Sequence, residues 1–186
     1  MSFYQQIAPY YHHIFKINVN QVNFIKSKIP ESDSSILDIG CGPGVQTIEL
    51  AKLSNGRIIA LDNHQAFLDK LIKKAKEAAL LDHIVPQNRS MLDMDFEENT
   101  FDIIWSEGAL YFMGFQNGLR RCHQLLKNDG FLAVTELVYL VNNPPAPLIQ
   151  YFEKEYPDIK PVKEKIDLIE NERFQRKIRK GCQTNK

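Results

Sequence analysis

The sequence predicts an α/β fold in which helices cover both faces of a mostly parallel sheet. Three observations predict it. Strand-like and helix-like tracts alternate through the body of the chain. A glycine-rich segment, Asp38-Ile39-Gly40-Cys41-Gly42-Pro43-Gly44, falls between the first strand and the first helix of that body. The second strand closes on an acid, Asp62, 18 residues after Gly44.

Ser35 to Gly40 reads as a short buried strand, and Val45 to Leu53 as a helix ending near Asn55-Gly56. Arg57 to Leu61 is the second strand. From Gln65 to Leu81, Phe67, Leu68, Leu71, Ile72, Ala75 and Ala79 recur at helical spacing. A weak third strand follows at Ile84-Val85. Phe101 to Trp105 is a fourth, after a polar Glu-Glu-Asn-Thr loop. Leu119, Cys122, Leu125 and Leu126 mark the next helix, Asn128-Asp129-Gly130 a tight turn, and Phe131 to Thr135 the fifth strand.

Outside this core, residues 1–29 read as two helices rich in Tyr, Phe and Ile that form a lid. After Val141, Asn142-Asn143-Pro144-Pro145 marks a boundary, and residues 144–174 read as helices. Residues 1–174 are expected to form one domain with its ligand-binding core at 34–141. The basic stretch 175–186 is expected to be a disordered tail.

Composition narrows the function classes. The chain has 186 residues, 44% of them hydrophobic, with 23 basic and 23 acidic side chains. That balance argues against a dedicated nucleic-acid or membrane-surface binder. Cys41, Cys122 and Cys182 are too few and too scattered for a disulfide framework or a metal cluster, which fits a reducing, cytoplasmic setting. Met1 to Ile17 lack a basic start followed by an apolar stretch, so no signal peptide is expected. The longest apolar tract, Phe131 to Val141, is shorter than the roughly 20 residues a membrane span needs.

The chemistry concentrates on the glycine segment. Glycines let the backbone turn sharply and let a ligand approach without a Cβ in the way. The following helix offers free N–H groups and a positive dipole end. A carboxylate at the end of the next strand accepts hydrogen bonds from both hydroxyls of a ribose, the role open to Asp62. The glycines stand at 40, 42 and 44, without the G-x-G-x-x-G spacing of a dinucleotide fingerprint. The compact loop suits a nucleoside with a small zwitterionic arm.

With Asp62, the stretch Arg89-Ser90-Met91-Leu92-Asp93-Met94-Asp95-Phe96 and the strand Phe101 to Ser106, this loop resembles the class I S-adenosylmethionine-dependent methyltransferases, over roughly Tyr4 to Tyr139. The closer likeness is to bacterial small-molecule enzymes of the ubiquinone/menaquinone-biosynthesis type. Leu126-Lys127-Asn128-Asp129-Gly130-Phe131 stands where that family has a Leu-x-Pro-Gly-Gly turn. The resemblance implies a Rossmann-like doubly wound sheet, a cytoplasmic enzyme, S-adenosyl-L-methionine as cofactor and a small-molecule acceptor. It implies neither metal, nucleic acid nor membrane.

Position by position, it implies that Gly40, Gly42 and Gly44 line the cofactor's methionine arm and that Asp38 braces the loop. Asp62 holds the ribose, with Asn63 beside it. Ser90 replaces the Asp that reads the adenine amino group, Asp93 is a substitute for it, and Met91 packs on the ring. Ser106 and Glu107 border the methyl-transfer site. Tyr11 closes the cofactor pocket, and His12 follows it where relatives have Asp. No catalytic base is identified; the candidates are His12, Glu107 and Tyr111. The family's closing strands find no counterpart after Phe174. Their loss would expose the fifth strand as an edge and favour a homodimer.

Each residue also has a plainer reading. Asp62 fits a helix N-cap, Cys41 a loop filler, and His12 and His13 packed or solvated helix positions. His123 fits the surface, Glu107 and Tyr111 capping and packing, and Tyr4, Tyr10, Tyr11 and Phe15 lid packing. The competing functions are a catalytically impaired cofactor-binding protein of the same fold and an NAD(P)-dependent oxidoreductase.

Overall fold

The computed structural model describes residues 26–29 and 33–172. Its main sheet has the order β3-β2-β1-β4-β5. The strands are β1 (Ser35–Ile39), β2 (Arg57–Asp62), β3 (Ile84–Asn88), β4 (Phe101–Glu107) and β5 (Leu126–Thr135). Every neighbouring pair runs parallel. A parallel sheet must bury both faces, so its strands read as continuous apolar runs. In β1, Ile36 faces one core while Leu37 and Ile39 face the other.

Two layers of helix cover the sheet. Helices α1 (Val45–Leu53) and α2 (Gln65–Glu77) bring Leu50, Ala51, Leu68, Leu71 and Ala75 against Ile36, Ile58 and Trp105. Helix α3 (Phe115–Leu125) brings Leu119, Cys122 and Leu125 against Leu37, Ile39 and Ile104. Chain order reverses between β1 and β4. At such a reversal the connections leave in opposite directions and open a crevice beyond the carboxyl ends of the strands.

Several boundaries differ from the sequence reading. Helix α2 stops at Glu77, before a left-handed Ala79 with φ 54°, and a 3-10 turn covers Leu81–His83. The third strand runs on to Asn88 and the fourth to Glu107. Leu126 belongs to β5, not to the helix before it. The turn at Asn128-Asp129-Gly130 lies inside β5. Leu126 faces Phe101 and Phe131 faces Ile103, so residues 127–130 loop out of register. Lys127 ties this excursion down, placing Nζ 2.9 Å from both oxygens of Asp102, which also accepts the Ser35 amide at 2.8 Å.

The segment expected to be helical from residue 144 contains helices α4 (Ala146–Glu155) and α5 (Val162–Asn171), with a short strand, Lys160–Pro161, between them. That strand, β7, pairs in parallel with β6 (Val138–Tyr139). Two-residue strands are too short to leave a pattern in sequence. Helix α5 adds Leu168 and Ile169 to the second core. Among the described residues, no helix is long and apolar enough to cross a membrane. Most of the expected lid at 1–29, including Tyr11 and His12, and the tail at 175–186 lie outside the described residues.

Candidate functional site

The glycine loop stands at the crevice and is fixed on three sides. The amides of Gly40 and Cys41 donate to the Leu61 carbonyl at 2.8 and 3.1 Å, stitching the loop to the end of β2. Lys74 on α2 donates to the Pro43 carbonyl at 2.9 Å. Gly44 is the N-cap of α1, with φ 77°. Gly40 and Gly42 also take left-handed φ, 71° and 51°, which side chains tolerate poorly.

The loop glycines differ in their surroundings. A Cβ on Gly40 would meet the Ala109 Cβ at 2.6 Å, and one on Gly44 would run into Leu71. A Cβ on Gly42 would have no heavy atom within 4 Å. Two glycines therefore serve packing, while the middle one leaves open space against bare backbone.

Asp62 is bound to that open position. The Gly42 amide donates to Asp62 Oδ2 at 2.9 Å, and the His64 amide donates to Oδ1 at 2.8 Å. The carboxylate thus locks the loop and the entry to α2 together. His64 rather than Asp62 is the N-cap of that helix. Each carboxylate oxygen retains a lone pair for a further donor.

Asp38 is buried, and its Oδ2 accepts from Thr47 Oγ1 at 2.6 Å. Burial pushes its carboxyl up to about 7, against the Thr47 hydrogen bond; the charge of Asp62 adds to the rise. Glu107, at the end of β4, accepts from Gln46 Nε2 at 2.6 Å. Burial raises it to about 7 as well, with Asp38 as the next contributor and Gln46 opposing. Three carboxylates therefore crowd one end of the sheet, and their mutual repulsion favours a ligand that carries positive charge.

Ser106 is fully buried and donates to the Ile39 carbonyl at 3.2 Å, so its hydroxyl joins β1 to β4. Met91 Cε approaches to 3.7 Å from where a Gly40 Cβ would stand. Ser90 caps the 3-10 turn Met91–Asp93, accepting from the Leu92 amide at 3.2 Å. Asp93 and Asn63 are exposed. The Arg89 amide donates to the Asp62 carbonyl at 3.0 Å, so the Ser90 segment leaves the sheet beside Asp62. Tyr111 lies on the β5 side, stacked between Tyr156 and Phe112 with ring centroids 4.0 and 4.1 Å away.

Sequence reasoning missed Gln46 and Thr47, which hold the two raised carboxyls, and Ala109, which closes on Gly40. The available signal was two polar residues in the first turn of a helix that faces the core.

Known proteins resemble this chain in sequence and in fold. Residues 36–130 match a family model described as a methyltransferase domain. The chain is 32% identical over 121 residues to the sterol 24-C-methyltransferase ERG6 of Saccharomyces cerevisiae, covering 62% of this chain and 32% of that protein. It is also 32% identical over 118 residues to the sterol 24-C-methyltransferase of Kluyveromyces lactis, covering 61% and 30%. It spans about a third of the length of these relatives. Among solved structures it is similar to geranyl diphosphate C-methyltransferase from Streptomyces coelicolor A3(2), in complex with Mg2+, geranyl diphosphate and S-adenosyl-L-homocysteine. The TM-score is 0.69 and the identity 17%, over 83% of this chain and 60% of that one. The [4+2]-cyclase SpnF gives a TM-score of 0.66 at 19% identity, over 82% and 56%. At these identities the likeness is one of fold.

Proposed function

Because this chain belongs to the methyltransferase-domain family, we propose that it moves a methyl group from S-adenosyl-L-methionine to a small-molecule acceptor. One observation carries the reading. The backbone at Gly42 is open on its ligand side, locked to Asp62 at 2.9 Å, and set among three carboxylates. That arrangement fits a ligand with a ribose, a cationic centre and an arm that lies against backbone.

In this reading Gly40, Gly42 and Gly44 line the methionine arm and Asp38 braces them. Asp62 and Asn63 meet the ribose, Ser90 and Met91 the adenine, and Tyr11 closes the pocket. Ser106 holds the β4 end at which transfer takes place. The bound cofactor supplies a methyl group already activated on a sulfonium. The protein's task is therefore placement: in-line alignment at about 3–3.5 Å provides much of the rate in such reactions. Glu107 sits at the end of β4, beside the crevice, where its carboxyl can orient an acceptor or take its proton.

Balanced charge supports a small-molecule acceptor over a nucleic acid. We place the enzyme in the cytoplasm, acting away from membranes, as a single domain over 1–174 that is able to form a homodimer. A second reading is cofactor binding without methyl transfer, since a fold does not fix a function and a [4+2]-cyclase has a similar one. Incubation with S-adenosyl-L-methionine and a cell-derived metabolite mixture separates the two. Methyl transfer requires formation of S-adenosylhomocysteine, and its absence from a chain that binds the cofactor favours the second reading.

A further inference from the structure

Two side chains of opposite charge hold the glycine loop. Asp62, at the end of β2, accepts from the Gly42 amide at 2.9 Å. Lys74, in the last turn of α2, donates from Nζ to the Pro43 carbonyl at 2.9 Å, across 31 positions of sequence.

These anchors bracket Gly42 and Pro43. The Pro43 ring fixes its own φ, so between the two anchored atoms the backbone turns only about φ and ψ of Gly42 and ψ of Pro43. Glycine is the residue type least able to hold such torsions by itself. No heavy atom stands near the place of a Gly42 Cβ to restrain it. The shape of the loop at its open position is therefore set from outside, by Asp62 at one end and Lys74 at the other.

The partner of Lys74 is unusual for an ammonium. The side chain is half-buried, and a charge drawn out of water ordinarily pairs with a carboxylate. Two carboxylates line the same groove between α1 and α2, Glu49 and Glu77, yet they pair with Lys52 at 2.7 Å and Lys73 at 3.9 Å. Lys74 turns to a neutral carbonyl of the loop instead. A hydrogen bond from a charged donor is stronger than one from a neutral donor, so Pro43 is held firmly. Asp62 has a second anchor, the His64 amide at 2.8 Å, and does not depend on Lys74 for its place.

We propose that Lys74 is a positioning residue for the amino-acid arm of the cofactor. Through Pro43 it holds the backbone of residues 42–44 in the shape that receives the arm. The inference rests on the methyl-transfer reading and adds to it a residue that selects for the arm. The ribose and adenine contacts, assigned to Asp62, Asn63, Ser90 and Met91, lie outside the stretch that Lys74 restrains. Removing its ammonium therefore weakens a ligand that carries the arm and spares one that lacks it. A residue that only stabilised the fold would weaken both alike.

The test titrates the full chain by calorimetry with S-adenosylhomocysteine and with 5′-methylthioadenosine, which keeps the adenosine and lacks the amino-acid arm. Lys74→Met keeps the apolar stem and removes the donor. It should weaken S-adenosylhomocysteine about tenfold, the effect of one hydrogen bond from a charged group, and leave 5′-methylthioadenosine unchanged. Lys74→Arg, which keeps a charged donor, should restore most of the loss. Lys73→Met removes a neighbouring charge without touching the loop and should change neither ligand. In the ligand-free chain, Lys74→Met should speed hydrogen exchange of the Gly42 and Gly44 amides and leave that of Gly40, bonded to β2, as it was. Equal loss for the two ligands, no loss, a loss that Lys74→Arg does not restore, or an equal loss in Lys73→Met overturns the proposal. Should S-adenosylhomocysteine fail to bind the parent chain, the methyl-transfer reading falls instead, and unchanged exchange at Gly42 and Gly44 then overturns the hold of Lys74 on the loop.

Discussion

The Gly42 amide and the Asp62 carboxylate meet at 2.9 Å, joining a loop after the first strand to the end of the second. Through this contact, and the companion bond from His64 at 2.8 Å, one side chain sets both the shape of the glycine loop and the start of α2. Asp62→Ala removes the acceptor for two amides and, if the cofactor binds as proposed, the partner of its ribose. Affinity for S-adenosylhomocysteine should fall by about ten- to a hundredfold, the range expected when a charged hydrogen-bond acceptor is lost. Asp62→Asn, which keeps one oxygen, should lose less. Calorimetric titration of both variants checks the order.

The loop glycines should separate into two classes. Gly40→Ala and Gly44→Ala force a left-handed residue into contact with Ala109 and Leu71, so both should lower the melting temperature by several degrees. Gly42→Ala meets no protein atom. It should melt closer to the parent yet bind S-adenosylhomocysteine more weakly than its stability suggests. Thermal melts paired with titrations distinguish the classes, and equal behaviour at all three positions would refute the division.

Burial pushes Asp38 and Glu107 up to about 7, from ordinary values of 3.8 and 4.5. Between about pH 4 and 7 the folded chain therefore holds protons that the unfolded chain has lost. These two groups favour the ligand-free fold at acid pH, and that contribution is lost as pH rises through their folded values. A cationic ligand needs the ionised forms. Affinity for S-adenosyl-L-methionine should rise through neutral pH, more steeply than that for S-adenosylhomocysteine, which lacks the sulfonium charge. Asp38→Asn and Glu107→Gln should each flatten the difference, measured by calorimetry from about pH 5.5 to 8.5, a range that brackets these two raised values.

Thr47→Val leaves Asp38 buried without its 2.6 Å hydrogen bond. A buried acceptor left unmet costs about 1–3 kcal/mol. At about 2–4 °C per kcal/mol for a chain of this size, the melting temperature should drop by several degrees. The Thr47 bond also holds the Asp38 carboxyl down, so the neutral-pH rise in cofactor affinity should shift to higher pH in this variant.

The parts of the fold that announced themselves were those in which one physical requirement dominates. Apolar runs such as Ile36–Ile39 must be buried on both sides, and glycines 40, 42 and 44 are demanded by left-handed φ. The parts that stayed hidden depend on long-range agreement. Nothing local marks residues 127–130 as an excursion within one strand, because the Lys127–Asp102 pair that holds it spans 25 positions. The two-residue partners β6 and β7 carry no period. Within the site, Asp38 and Asp62 could be chosen from their places at strand ends. Gln46 and Thr47 could not, since their roles exist only once α1 lies against the ends of β4 and β1, where Glu107 and Asp38 stand. The Ser106 hydroxyl bridges β1 and β4, a contact that also exists only once the two strands lie side by side. Glu136 interrupts an apolar tract in the sequence, and only the fold brings Lys165, 29 positions later in the chain, to 4.0 Å from it.

Titrating the purified chain with S-adenosylhomocysteine and, separately, with NADH, each repeated on Asp62→Ala, reaches the heart of the matter. Saturable one-to-one binding of S-adenosylhomocysteine is expected, weakening sharply in the variant, with no binding of NADH. Binding of NADH alone, or S-adenosylhomocysteine affinity that is the same with and without the Asp62 carboxylate, would rule out the proposed cofactor site.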